Sequence, residues 1–171
     1  MSWPYLIIGL VALQRLAELV YAQRNTRALL AHGGREVGAG HYPLIVLLHL
    51  AWLVAVTLML PRPPVIYWIP LILFILFQFG RVWAIMSLGP FWTTRIITLP
   101  DMPLVRRGPY RFVRHPNYMV VAGEIAALPL AFGEIWVAVI FTILNGAMIA
   151  WRIRAEDMAL APRRVLPAND G

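Results

Sequence analysis

Long apolar runs separated by short polar stretches organise the chain. The first covers about 3–23 and the second about 42–60, where Pro61-Arg62-Pro63-Pro64 stops it. The third covers about 65–88 and ends at Gly89-Pro90. A polar stretch, Phe91–Asn117, follows, and then a last apolar region from Tyr118 to Trp151. At about 1.5 Å per residue that region is too long for one crossing of a hydrocarbon core about 30 Å thick. Phe132-Gly133-Glu134 supplies a break near its middle. The pattern predicts a tight helical hairpin, Tyr118–Ala131 and Ile135–Trp151, whose short first arm calls for tilt or partial insertion. The expected fold is an all-α integral membrane protein with about five transmembrane helices. It forms a single domain over 1–171, with a motif loop at 89–117 and a tail at 152–171. Met1–Trp3 carries no positive charge and the first run continues into Arg15 and Glu18, so it reads as a retained span rather than a cleaved signal.

Composition agrees. The chain is 60% hydrophobic and 13% charged, where a soluble domain is about 45–50% apolar and about 25% charged. That excludes a disordered chain and argues against an ordinary cytosolic globule. The net charge is +7, and every basic residue is Arg. Nucleic-acid binding needs a solvated basic face, whereas these arginines sit between apolar runs, so a lipid bilayer is the expected partner and nucleic acid is not. Arg24, Arg27 and Arg35 fall in the first polar loop. Arg95, Arg106, Arg107, Arg111 and Arg114 fall in the motif loop, and Arg152, Arg154, Arg163 and Arg164 in the tail, while Arg62 stands alone on the opposite side. The positive-inside rule then puts the N-terminus outside and the C-terminus in the cytoplasm, as in a bacterial inner membrane. The absence of cysteine removes disulfides, thiolate metal sites and a Cys nucleophile. His32 and His41 do not have the spacing of a metal site, and no metal is expected.

Several polar residues interrupt the spans. Arg15 and Glu18 share a helix face at i, i+3 and are expected to pair. Ionisable groups at membrane depth face a protein interior or a watery cavity. Arg81 lies about two turns before Gly89, from where snorkelling to the interface would satisfy it. His49 is expected to hydrogen-bond across helices. Glu124, about two turns into the fourth helix, either pairs with an Arg or faces a pocket.

The densest chemistry is the run Arg106 to Tyr118. Gly108-Pro109 reads as a turn, and Pro116 suits the first turn of a helix. The free N–H groups of that helix point back into the arginine-rich loop and suit a carboxylate or phosphate. His115 and Tyr118 share a face, as do Arg152 and Glu156 after the last span. Composition and spacing identify no reaction.

Gly-Pro-Tyr-Arg-x-x-Arg-His-Pro-x-Tyr, Gly108 to Tyr118, resembles the signature of the isoprenylcysteine carboxyl methyltransferase family, integral membrane enzymes that use S-adenosylmethionine. The likeness extends to Leu88-Gly89 with Trp92, to Glu124 and to Arg152-x-x-x-Glu156, and spans roughly Arg81–Leu160. It implies a cofactor enclosed on the cytoplasmic side by the loop from about Leu104, His115, Tyr118 and the Arg152–Glu156 helix. A lipophilic acceptor would enter from the bilayer between helices. On this resemblance the cofactor-binding candidates are Gly108, Tyr110, Arg114, His115, Pro116, Tyr118 and Glu156. Glu124, His115 and Arg152 are the catalytic candidates, and Arg81 and Trp92 the acceptor contacts. Two features depart from the eukaryotic members: Asp157 replaces a second Glu, and Ala161-Pro162-Arg163-Arg164 replaces an aromatic, glycine-containing tail. The first half, with Arg15, Glu18 and Gly34-x-Glu36, is similar to a bacterial subgroup found beside polyketide-type enzymes.

The residues suit that chemistry. Arg114 or the helix N-terminus can hold a methionyl carboxylate. Glu156 can hold the ammonium or ribose hydroxyls, and Tyr110 and Tyr118 can lie against a sulfonium or adenine. In-line transfer depends on alignment of acceptor oxygen and methyl carbon. An isoprenylcysteine-type carboxylate needs no base; an alkyl-phenol or pyrone hydroxyl does, with Glu124, His115 or Glu156 as candidates. Membrane sterol reductases share an Arg-His-Pro-x-Tyr element, so an NADPH-dependent reductase and a non-catalytic membrane protein are the alternatives.

Overall fold

The structure is a computed structural model that describes residues 3–100 and 102–165. Five α-helices carry it: α1 (Trp3–Ala31), α2 (Tyr42–Leu58), α3 (Trp68–Leu88), α4 (Pro116–Ala131) and α5 (Ile135–Leu160). Three helical stretches, Trp3–Ala31, Trp68–Phe91 and Ile135–Arg163, are long and apolar enough to cross a membrane, and α2 is a shorter apolar helix. The expected hairpin is present as α4 and α5. Its first arm has 16 residues, about 24 Å of helix, just under a hydrocarbon thickness.

Two helices outrun their apolar segments. α1 continues past the expected end near residue 23 to Ala31, because its last turns are packed: Ala22, Asn25, Thr26 and Leu29 are buried. The Asn25 amide donates to the carbonyls of Gly89 (3.1 Å) and Trp92 (2.8 Å). Gly33, at φ 87°, then ends the helix, with Gly34 N–H returning to the Leu29 carbonyl. α5 likewise runs nine residues beyond Trp151, carrying Arg152 and Glu156 on continuous helix.

A two-stranded sheet was not expected. β1 (Arg35–Val37) pairs antiparallel with β2 (Ile96–Thr98), Glu36 opposite Ile97. Hydrophobic periodicity cannot resolve three-residue strands. The sheet ties the first polar loop to the motif loop at one end of the bundle, and Arg95 reaches Glu36 at 3.0 Å.

The core lies among α2, α3 and α4 around Trp52, Val56, Phe74, Ile125, Leu128 and Phe132. Pro129, inside α4, has no N–H for the carbonyl four residues back, that of Ile125. The Trp52 indole N–H of α2 donates to that carbonyl instead, at 3.2 Å. α3 packs tightly on α4 at Gly123, where an added Cβ would stand 2.2 Å from the Phe77 ring. Large apolar side chains such as Trp68, Ile69, Phe79, Met86, Trp136 and Ile143 point outward, as a bilayer-facing surface does.

Candidate active site

The site is assembled where α3 ends, α4 begins and α5 ends. Arg107 donates from Nε to the Ser87 carbonyl at 2.6 Å, pinning the motif loop to the last turn of α3. Gly108 sits at φ 56°, and a Cβ there would be 2.0 Å from Ser87 Oγ. Only glycine therefore lets the Gly108–Arg111 turn lie against α3. Pro116 opens α4 with His115 as the residue before it, as the sequence pattern predicts.

His115 and Tyr118 stack, with ring centroids 5.4 Å apart. His115 Nε2 meets the Asp157 carboxylate at 3.1 Å, and Nδ1 lies 4.0 Å from Glu156. The Tyr118 hydroxyl donates to Glu156 and accepts from Arg152 Nε at 2.6 Å. Arg152 also donates from Nη2 to the Thr94 carbonyl at 2.6 Å. Arg152 and Glu156, on one helix face, are thus joined by a half-buried relay through Tyr118, which the helix spacing alone does not reveal.

Beside this relay is a cavity of about 420 Å3 whose walls include Leu104, Arg106, Tyr110, Arg111, Arg114 and His115. Burial, with the charge of Glu156 nearby, holds the Tyr110 phenol well above its usual range, so it remains a neutral aromatic wall. Arg163 folds back over the loop, donating to the carbonyls of Met102 (2.6 Å) and Pro103 (3.1 Å). The tail therefore does reach the segment that walls the cavity; residues 166–171 and the side chain of Arg164 lie outside the described residues.

Other candidates lie elsewhere. Glu124 is eight residues into α4 from Pro116, about 12 Å along the helix axis. It sits in a buried charge cluster that joins α1, α3 and α4. Arg81 grips Glu18 through Nε (2.7 Å) and Nη2 (2.5 Å), and reaches Glu124 through Nη1 (3.1 Å). Arg15 bonds Glu18 (3.2 Å) and Glu124 (2.7 Å). Gln78 donates to Glu124 at 2.8 Å, and Gln14 donates to Glu18 at 3.0 Å. The Arg15–Glu18 pair is as expected. Arg81 is not: it is turned inward rather than snorkelling, because two carboxylates offer it three charge-assisted hydrogen bonds inside the bundle. Trp92 is 3% exposed and stacks on Tyr21 of α1. His49 bonds the Ile45 carbonyl of its own helix at 2.8 Å rather than crossing to a neighbour. His32 does the same with Ala28, and the side chain of His41 is outside the described residues.

Sequence reasoning named Asp157 only as a departure from the eukaryotic pattern and did not single out Thr94, Gln14 or Gln78. The glutamines were findable, since each stands within one turn of an arginine or glutamate in an otherwise apolar helix. Thr94 was not, because it meets Arg152 through its backbone carbonyl, which any residue carries.

The model of the Isoprenylcysteine carboxyl methyltransferase (ICMT) family matches residues 69–162, from α3 to the end of α5. The chain belongs to the ICMT family. The matched stretch holds the whole relay and the cavity wall, while α1 and α2 fall outside it. The uncharacterised protein YpbQ of Bacillus subtilis is 38% identical over 160 residues, covering 91% of this chain and 95% of that one. An uncharacterised protein of Haemophilus influenzae is 25% identical over 152 residues, covering 86% and 88%. No solved structure matches. As an ICMT member with long apolar helices, the protein is a membrane methyltransferase.

Proposed function

We propose that the protein is an S-adenosylmethionine-dependent O-methyltransferase acting on a lipophilic acceptor, with its cofactor site on the cytoplasmic side of the membrane. The observation that carries this is the cavity of about 420 Å3 beside the Arg152–Tyr118–Glu156 relay. Its size is within the range of about 300–1,000 Å3 typical of small-molecule sites. Its residues fit the proposed group. Arg106, Arg111 and Arg114 offer cations for a carboxylate and Tyr110 an aromatic face, while Glu156, which approaches His115 of the cavity wall at 4.0 Å, offers an anion for an ammonium or ribose hydroxyls.

Bound there, the cofactor supplies an electrophilic methyl group on a sulfonium. Arg152 holds the Tyr118 hydroxyl, which in turn fixes one oxygen of Glu156, so the carboxylate keeps its other oxygen for a ligand. His115 is held in place by Asp157 and by the ring of Tyr118. Such pre-set geometry is what an in-line displacement needs, since most of its rate comes from alignment. Arg24, Arg27 and Arg35 share one end of the bundle with the motif loop, a reading supported by the β1–β2 pairing. That charge bias argues for a cytoplasmic site and an external N-terminus.

Calorimetry on detergent-purified protein tests the proposal. Saturable binding of S-adenosylmethionine and S-adenosylhomocysteine without binding of NADPH is expected. Binding of NADPH alone would move the protein to a reductase chemistry. Failure of all three to bind a folded preparation would leave a non-catalytic role.

A further inference from the structure

Arg152 and Glu156 stand one turn apart on α5, a spacing at which opposite charges meet on a helix surface. Here they do not meet. Among the described residues the buried Arg152 guanidinium makes two hydrogen bonds, and neither goes to Glu156. Nε donates to the Tyr118 hydroxyl and Nη2 to the Thr94 carbonyl, each at 2.6 Å. A guanidinium bonds a carboxylate more strongly than a neutral carbonyl. The Thr94 carbonyl can compete with Glu156 only if it is held in place against Arg152.

The tether that holds it comes from the N-terminal half of the chain. Thr94 lies in a bend just ahead of β2, before the residues that pair with β1, so the ladder does not take its carbonyl. The Thr93 hydroxyl donates to the Arg95 carbonyl at 2.6 Å and tightens the bend. The Thr94 hydroxyl donates to the Tyr42 hydroxyl at 3.2 Å. The Arg95 guanidinium lies over the Tyr42 ring, 4.8 Å from its centroid. Tyr42, the first residue of α2, thus grips two successive side chains of the bend. The Arg95–Glu36 ion pair beside it adds little, since the Arg95 side chain is 42% exposed. Tyr42 and β1 fall outside residues 69–162, the stretch that the family model matches. The matched stretch carries the relay, and the chain before it carries the tether.

Losing the tether has a defined consequence. A drifting bend takes the neutral acceptor away from Arg152, and the charged one lies four residues on along the same helix face. A direct pair would neutralise Glu156, occupy the oxygen that Tyr118 leaves open, and release the Tyr118 hydroxyl.

We propose that Tyr42 and Thr94 are positioning residues for the cofactor site: by holding the Thr94 carbonyl against Arg152 they keep that arginine off Glu156, whose charge then stays available for the cofactor's ammonium or ribose hydroxyls. This rests on the methyl-transfer reading above.

The test is calorimetry of S-adenosylhomocysteine binding to full-length protein in detergent. Tyr42→Leu removes both the hydroxyl and the ring, and it should weaken binding about tenfold, the scale of one lost charge-assisted hydrogen bond. The same change in an Arg152→Met background should cost less than about twofold, because no guanidinium is left to swing onto Glu156. Equal losses in the two backgrounds would make Tyr42 a structural residue, and unchanged binding in Tyr42→Leu would remove it from the site; either result overturns the proposal. Glu36→Gln removes only the exposed pair and should change affinity less than about twofold. A larger loss there than in Tyr42→Leu would put the tether in the sheet and overturn the assignment. Should Tyr42→Leu or Arg152→Met not fold, Tyr42→Phe and Thr94→Val decide. Each removes the same hydrogen bond and should weaken binding about threefold, and the double variant should be no weaker than the weaker single. Additive losses, or none, overturn the proposal. A wild type that binds no S-adenosylhomocysteine overturns the methyl-transfer reading and this one with it, whereas a wild type that binds and variants that bind equally well overturn this one alone.

Discussion

Glu156 shows how one side chain is committed by its neighbours. Tyr118 takes one of its oxygens, and Arg152 in turn fixes Tyr118. Glu156→Gln keeps the shape and removes the charge. It should weaken S-adenosylhomocysteine binding by at least about tenfold, the scale of a lost charge-assisted bond of 1.5–3 kcal/mol, while the melting temperature changes little. Unaltered affinity in calorimetry would remove Glu156 from the cofactor site. At the far end of the hairpin, Glu134 behaves differently. It is 6% exposed, neither of its oxygens has a hydrogen-bond partner among the described residues, and burial pushes its carboxyl up to about 7 from 4.5. A carboxyl raised on folding stabilises as the neutral acid, so its contribution is full below about 4.5 and is lost as pH rises through about 7. The melting temperature in detergent should therefore decline between about pH 5 and pH 8, and Glu134→Gln should flatten that decline. Superimposable curves for the two proteins would show that Glu134 is not the group responsible.

At the scale of elements, contact between α3 and α4 sets the site, because α3 carries the Ser87 anchor and α4 carries Tyr118 and begins directly after His115. Gly123 permits the close approach. Gly123→Ala drives a methyl group into the Phe77 ring and should cost about 1–3 kcal/mol as overpacking. Phe77→Leu in the same chain should recover part of it, which a thermal-unfolding double-mutant cycle measures. Additive losses would show that the two residues do not meet. The Trp52 indole bond to the Ile125 carbonyl is a comparable device. In a bilayer no water can replace the N–H that Pro129 lacks, so a neighbouring helix supplies one.

Across the whole molecule, the charge cluster and the arginine distribution do different jobs. The cluster binds α1 to α3 and α4 through Arg15, Glu18, Arg81 and Glu124, with positive and negative charges in balance. That makes ionic residues tolerable at membrane depth. The loop arginines carry the proposed orientation. A reporter fused after Gly171 should be cytoplasmic, and one fused before Met1 external. The reverse pattern would refute the proposed orientation and the cytoplasmic site together.

By itself the sequence determined the helices, the hairpin break at Phe132-Gly133-Glu134, the Arg15–Glu18 pair and the start of α4 at Pro116, because each depends on residues within a few positions of one another. The motif also marked His115, Tyr118, Arg152 and Glu156 as belonging to one chemistry. Only the tertiary structure decided who touches whom across 34 to 109 positions of chain: Arg152 on Tyr118, Arg81 on Glu18, Arg15 on Glu124. It turned Arg81 inward, carried α1 and α5 past their apolar ends, and put Glu124 away from the cavity that the motif walls. The physical reason is common to all of these. A polar side chain in an apolar helix must be satisfied by something, and spacing along its own helix says which face it is on but not which partner stands opposite.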